Sequence, residues 1–115
     1  MEKYILKNSA SEAVIKVYAS AMSGGTIDLA LSELAENGET VTGLHLKEVF
    51  FSCKPNKSAE IHRVKNGDLE GSYYLAQAGH WHFLNFNDET YSTYPLRFIF
   101  DGYGTVIIRV KKILA

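Results

Sequence analysis

This sequence predicts an all-β fold: an antiparallel β-sandwich, jelly-roll or immunoglobulin-like, of about eight strands with at most one short helix. Three observations carry the prediction. Apolar and polar residues alternate with period two along most of the chain, as half-buried strands require. Turn formers break the alternation at short intervals, at Gly24-Gly25, Asn37-Gly38, Pro55-Asn56, Asn66-Gly67 and Gly102-Tyr103-Gly104. One stretch alone, "LSELAENG" at 31–38, collects good helix formers before an Asn-Gly stop, and it is long enough for at most two turns.

The elements follow in chain order. "AVIKVYA" sets Ala13, Ile15, Val17 and Ala19 on one face, with Val14, Lys16 and Tyr18 on the other. "TIDLAL" puts Ile27, Leu29 and Leu31 together, opposite Thr26, Asp28 and Ala30. "LHLKEVFFSC" opens with Leu44 and Leu46 on the apolar side, but Val49, Phe51 and Cys53 carry that side further on. The slip of phase predicts a β-bulge at Lys47 or Glu48. "EIHRV" (60–64), "SYYLAQ" (72–77), "HWHFLN" (80–85), "LRFIF" (96–100) and "TVIIRVKKI" (105–113) complete the set. Shared phase assigns Ile15, Val17, Leu29, Leu44, Leu46, Phe51, Trp81, Phe83, Phe98, Ile108 and Val110 to the core.

Composition narrows the function classes. A chain of 115 residues, 46% apolar and 22% charged, reads as one globular domain over 1–115. Its formal charge of −1 gives no long-range attraction for nucleic acid or an anionic membrane. No apolar run approaches the roughly 20 residues of a spanning helix. "MEKYILKNSA" lacks the apolar stretch of a secretory signal, so synthesis in a cytoplasm is the expectation. Arg109, Lys111 and Lys112 form the densest basic cluster, and a solvated strand face accounts for them without nucleic acid.

Catalytic and metal chemistry find little to stand on. His80 and His82 share a strand face, but two imidazoles are not a zinc site, and only the fold can bring His45, His62 or Asp88 to them. No Gly-x-Ser-x-Gly elbow marks a nucleophile. Cys53, the single cysteine, adjoins an apolar run and reads as an inert, buried thiol. Asp88-Glu89 lies in a polar loop, and "GDLEGS" lacks the strand–loop–helix setting of a phosphate cradle. The reading is a protein that is not an enzyme and holds no catalytic residue, cofactor or metal.

An interaction role has more support. "NFNDETYSTYPLRF" (85–98) joins two strands through a loop of about ten residues, long against the usual hairpin. Its Tyr91 and Tyr94 can bury a ring while keeping a hydroxyl satisfied. Leu84 and Phe86 share the histidine face of their strand. Leu84, Phe86, Tyr91 and Tyr94 are therefore the candidate interface. A competing use of the aromatics Tyr73, Tyr74, Trp81, Tyr91 and Tyr94 is to stack on sugars, which requires them to be exposed. A third is a small cupin-like metal site built on His62, His80 and His82.

The order of segments resembles a group of small β-rich virion proteins of tailed bacteriophages. The matching positions are Ala13 to Val17, Thr26 to Leu29, Gly38 to Val49, Phe51, Ile61 to Arg63 and the "GHWHF" element from Gly79 to Phe83, within a span of about 10–110. Phe51 stands where that group carries tryptophan, and "RVKNGD" is more charged than its counterpart. The resemblance implies a structural role in the particle, foremost as a capsid decoration (cement) protein. Its partners would be copies of itself, in a homo-oligomer, and a major capsid protein or other virion protein. It implies no catalytic residues, and localisation to the virion after synthesis in the bacterial host cytoplasm. The alternative within the particle is a carbohydrate- or receptor-binding tail or tip domain.

Overall fold

Asn66 and Gly67, both at positive φ (52° and 85°), turn the chain back on itself between Lys65 and Asp68. Two residues of this kind suit the tight turn that matches strand twist, and the topology grows outward from it. The computed structural model describes residues 1–82 and 91–115. Its strands are β1 (Glu2–Asn8), β2 (Glu12–Ala19), β3 (Gly25–Leu29), β4 (Val41–Cys53) and β5 (Ser58–Lys65) before the turn. After it come β6 (Asp68–Ala76), β7 (Ala78–His82), β8 (Tyr91–Ser92), β9 (Leu96–Phe100) and β10 (Gly104–Leu114).

The second half pairs back on the first, always antiparallel. β5 takes β6, β4 takes β7 and β8, β3 takes β9, and β2 takes β10. The doubled ribbon also wraps, so that β10 lies against β4 and β9 against β5. One sheet runs β1-β2-β10-β4-β7, with β8 also on β4, and the other runs β3-β9-β5-β6. This is jelly-roll connectivity, an antiparallel sandwich of two sheets. Of the two arrangements expected, the immunoglobulin-like one is set aside.

Strand phase behaves as the alternation predicts. In the longest strand Glu48 faces Arg109 and Leu46 faces Val110, so Lys47 is the extra residue of a bulge. Ile15, Val17, Leu29, Leu44, Leu46, Phe51, Phe98, Ile108 and Val110 are all buried. Trp81 is a partial correction: it is half-buried, its indole edge-on to Phe51 and Tyr73 at the rim of the core. Phe83 lies outside the described residues. Leu34, Ile61 and Leu75 join the core as well.

Two features depart from expectation, and the helical candidate keeps within it. There are ten strands among the described residues, because β1 and β8 add to the set. The helical candidate is a single 3-10 turn, Leu31–Leu34, in which the Glu33 carboxylate accepts the Ala30 N–H at 2.7 Å. Lys112 does not belong to a solvated basic face. It continues the inward phase of Val106, Ile108 and Val110, and its side chain is fully buried.

The two long sides of the sandwich close differently. Near β1, the Lys3 ammonium donates to the Asp28 carbonyl at 2.7 Å and pairs with Glu33 at 2.5 Å. Asn8 donates its side-chain amide to the Leu34 carbonyl at 3.1 Å, and buried Leu34 fills the seam. On the far side the chain steps from β6 to β7 through Gln77 at φ 67°, crossing from one sheet to the other. Gly79 then faces inward where a Cβ would stand 2.7 Å from the Phe51 ring. Gly24 is fixed more tightly still: φ is +73°, and a Cβ would lie 2.0 Å from the Phe100 carbonyl oxygen.

Candidate interaction surface

The outward face of the larger sheet is built by residues out of phase with the core. Val14, Lys16 and Tyr18 come from β2, Thr105, Ile107 and Arg109 from β10, Glu48, Phe50 and Ser52 from β4, and Ala78 and His80 from β7. Strand pairing aligns them in rows across the sheet. Lys16, Ile107, Phe50 and His80 form one such row. Phe50 is 43% exposed, and the His80 ring stacks on it at 4.1 Å, nearly parallel. Beside this pair Ser52, Ala78, Gly79, Thr105 and Ile107 are small or apolar and leave a shallow depression of about 320 Å³.

Beside this row runs a series of charged contacts. Lys7 pairs with Glu12 at 3.3 Å, and Glu12 with Arg109 at 3.2 Å. Arg109 pairs with Glu48 at 2.6 Å, and Glu48 meets His80 at 2.8 Å. Alternating signs thus cross the sheet from β1 to β4, and the His80 ring of β7 ends the series. The Lys7 hydrogen bond, with Arg109 adding, holds the Glu12 carboxyl below its ordinary value. The Glu48 hydrogen bond pushes Arg109 further toward its charged form. These contacts lie on the outward face and are partly exposed, so they tie strands and set orientation more than they add stability.

The sequence-predicted interface is only partly within view. Leu84 and Phe86 lie outside the described residues, as do Asp88 and Glu89. Tyr91 opens β8 opposite His45, so the segment expected to be a continuous loop contains a short strand pairing with β4. Tyr94 is half-buried beneath the Lys65 ammonium, 5.8 Å from the ring centre. Its backbone N–H donates to the Ser92 hydroxyl, which in turn donates to the Tyr94 carbonyl. The residues that sequence reasoning misses are Phe50 and the β1 side chains Tyr4, Ile5 and Leu6, all exposed. A signal for Phe50 exists in "VFF": when Val49 and Phe51 face in, Phe50 must face out.

The competing uses of aromatics and histidines can be weighed against placement. Tyr74 is 62% exposed, but Trp81 and Tyr73 spend their ring edges on each other at the rim of the core. His62 and His80 face opposite sides of the sandwich, since His62 lies on the outward face of β5, beside Glu60 at 3.1 Å. They do not converge. Among the described residues no group of three His, Cys, Asp or Glu is placed to hold a metal. Burial, with Lys47 and Lys111 adding, pulls the His45 imidazole below its ordinary value. Burial, with Asp101 adding, pushes the Cys53 thiol up, so its reactive thiolate is disfavoured.

The fold and this surface together define a class: a jelly-roll β-sandwich with an open, partly apolar face on its larger sheet. No protein-family model matches the chain, and no curated protein matches it.

Proposed function

We propose that the protein works by binding protein surfaces, as a structural component of a tailed-bacteriophage particle and within it as a capsid decoration protein. The carrying observation is the concentration of exposed apolar side chains on the larger sheet. On the outward face Tyr4 stands at one end, with Phe50 and its depression toward the other, and Ile5 and Leu6 are exposed along the β1 edge. Exposed large apolar side chains and the depression beside Phe50 support an interaction site, and the ladder from Lys7 to His80 beside it offers charges that fix orientation. Jelly rolls serve both viral capsids and lectins, so the fold agrees with the virion reading without selecting it. The virion setting itself rests on the segment order from Ala13 to Phe83.

Purified protein added to capsids that lack it is expected to bind in a fixed ratio to the major capsid protein and to raise the temperature at which the shell opens. The variant F50D, placing a charge beside the depression, should weaken that binding by at least roughly tenfold, as loss of a central apolar anchor does. Capsids that neither take up the protein nor gain thermal stability would reject the decoration reading. Binding to a glycan array by protein inert toward capsids would favour the tip-domain alternative.

A further inference from the structure

From strand β1 we infer that the protein forms a two-fold dimer in which β1 of one copy pairs antiparallel with β1 of a second, joining the two larger sheets into one. This deepens the protein-binding reading above by naming a partner. Among the described residues β1 sits at the sheet edge and pairs with β2 alone. Among the described residues no backbone hydrogen bond reaches its other side. Tyr4, Ile5 and Leu6 are 48%, 41% and 55% exposed there. An unpaired edge of this kind is a template for another strand.

The faces of β1 select the register. Lys3 pairs with Val17 and Ile5 with Ile15, so both point inward; Tyr4 pairs with Lys16 and Glu2 with Tyr18, so both point outward. Leu6 is skipped, and Lys7, opposite Val14, points outward. Directly opposed residues share a face, and a two-fold axis perpendicular to the sheet keeps both cores on the same side. With the axis through Tyr4, Tyr4 meets Tyr4 and Lys3 meets Ile5. Past the bulge at Leu6, Glu2 meets Lys7 twice. Every pair matches in facing and the end pairs are opposite in charge. Moving the axis to Lys3 sets like charges together, and moving it to Ile5 leaves Glu2 without Lys7. The charges that would blunt this edge against an arbitrary strand thus complement each other against its own copy. Tyr4, already stacked on Tyr18 with centroids 6.0 Å apart, would extend that aromatic row across the axis.

Sedimentation equilibrium of the full chain is expected to show a monomer–dimer equilibrium. E2K and K7E should each raise the dissociation constant by roughly tenfold, because each creates two like-charge contacts by symmetry. The double variant E2K/K7E, with opposite charges restored, should recover most of the loss, and melting curves would show that each variant is folded. Geometry gives a second readout. In a C53S background, Y4C is expected to crosslink to itself on mild oxidation, since opposed Cα atoms lie about 4.5–5.5 Å apart. I5C, which faces Lys3 of the other copy, is expected not to. A chain monomeric at every concentration, or a dimer that crosslinks through I5C and not Y4C, overturns the inference. A monomer that still decorates capsids would leave the functional reading standing, whereas a dimer inert toward capsids would do the reverse.

Discussion

Phe98→Ala is expected to destabilise the protein by about 3–5 kcal/mol, the range for deleting a large aromatic from a core that cannot collapse around the hole. Phe98 has no exposed surface and is among the largest fully buried side chains. It sits in β9, opposite Ile27 of β3 on one side and Ile61 of β5 on the other, so the cavity opens at the centre of the smaller sheet. Two flanking strands hold the backbone in place, which limits relaxation. At this chain length the loss corresponds to a fall in melting temperature of at least roughly 10 °C. Tyr74→Ala is the internal comparison: its ring is 62% exposed, and the change should stay within about 0.5 kcal/mol. Thermal melts that fail to separate the two variants would contradict the assigned core.

Phe98 illustrates how much of the core is legible in the sequence. In "LRFIF" each apolar position repeats at two residues, and the sheet buries Leu96, Phe98 and Phe100 while leaving Arg97 outward, bound to Asp28 by two hydrogen bonds. The phase slip at Lys47 was equally readable, because a bulge changes which parity is apolar. β1 was not, since Tyr4, Ile5 and Leu6 are contiguous and its strand character comes from pairing with β2. The interaction surface was less accessible for a related reason. Glu12, Arg109 and Glu48 meet only because β10 is inserted between β2 and β4, and no sequence spacing relates them. At Lys112 residue type and phase conflict: the phase of β10 points it inside, but a lysine in a basic cluster argues for solvent.

That buried lysine should be the most sensitive polar position in the protein. Lys112→Ala is expected to cost about 3–5 kcal/mol, as removing one partner of a buried ion pair does. The Lys112 ammonium donates to the Asn8 side-chain oxygen at 2.8 Å, to the Ser9 carbonyl at 2.7 Å and to Glu39 at 2.7 Å. All three of its protons are used, and it ties β10 to the β1–β2 turn and to the segment before β4. Lys112→Met separates packing from charge: it keeps a long apolar stem but leaves three acceptors without their donor, so most of the loss should remain. The acid limb supplies a further check. The Lys112 hydrogen bond, with the Glu36 backbone N–H adding, holds the Glu39 carboxyl below its ordinary 4.5. A carboxyl depressed in the folded state contributes stability that is complete above 4.5 and lost as pH falls through the folded value. The difference in melting temperature between the native chain and Lys112→Met should therefore be constant from neutral pH down to that value and narrow below it. Equal melting temperatures at neutral pH would show that the ammonium is dispensable, and the role given to the turn it anchors would fall with it.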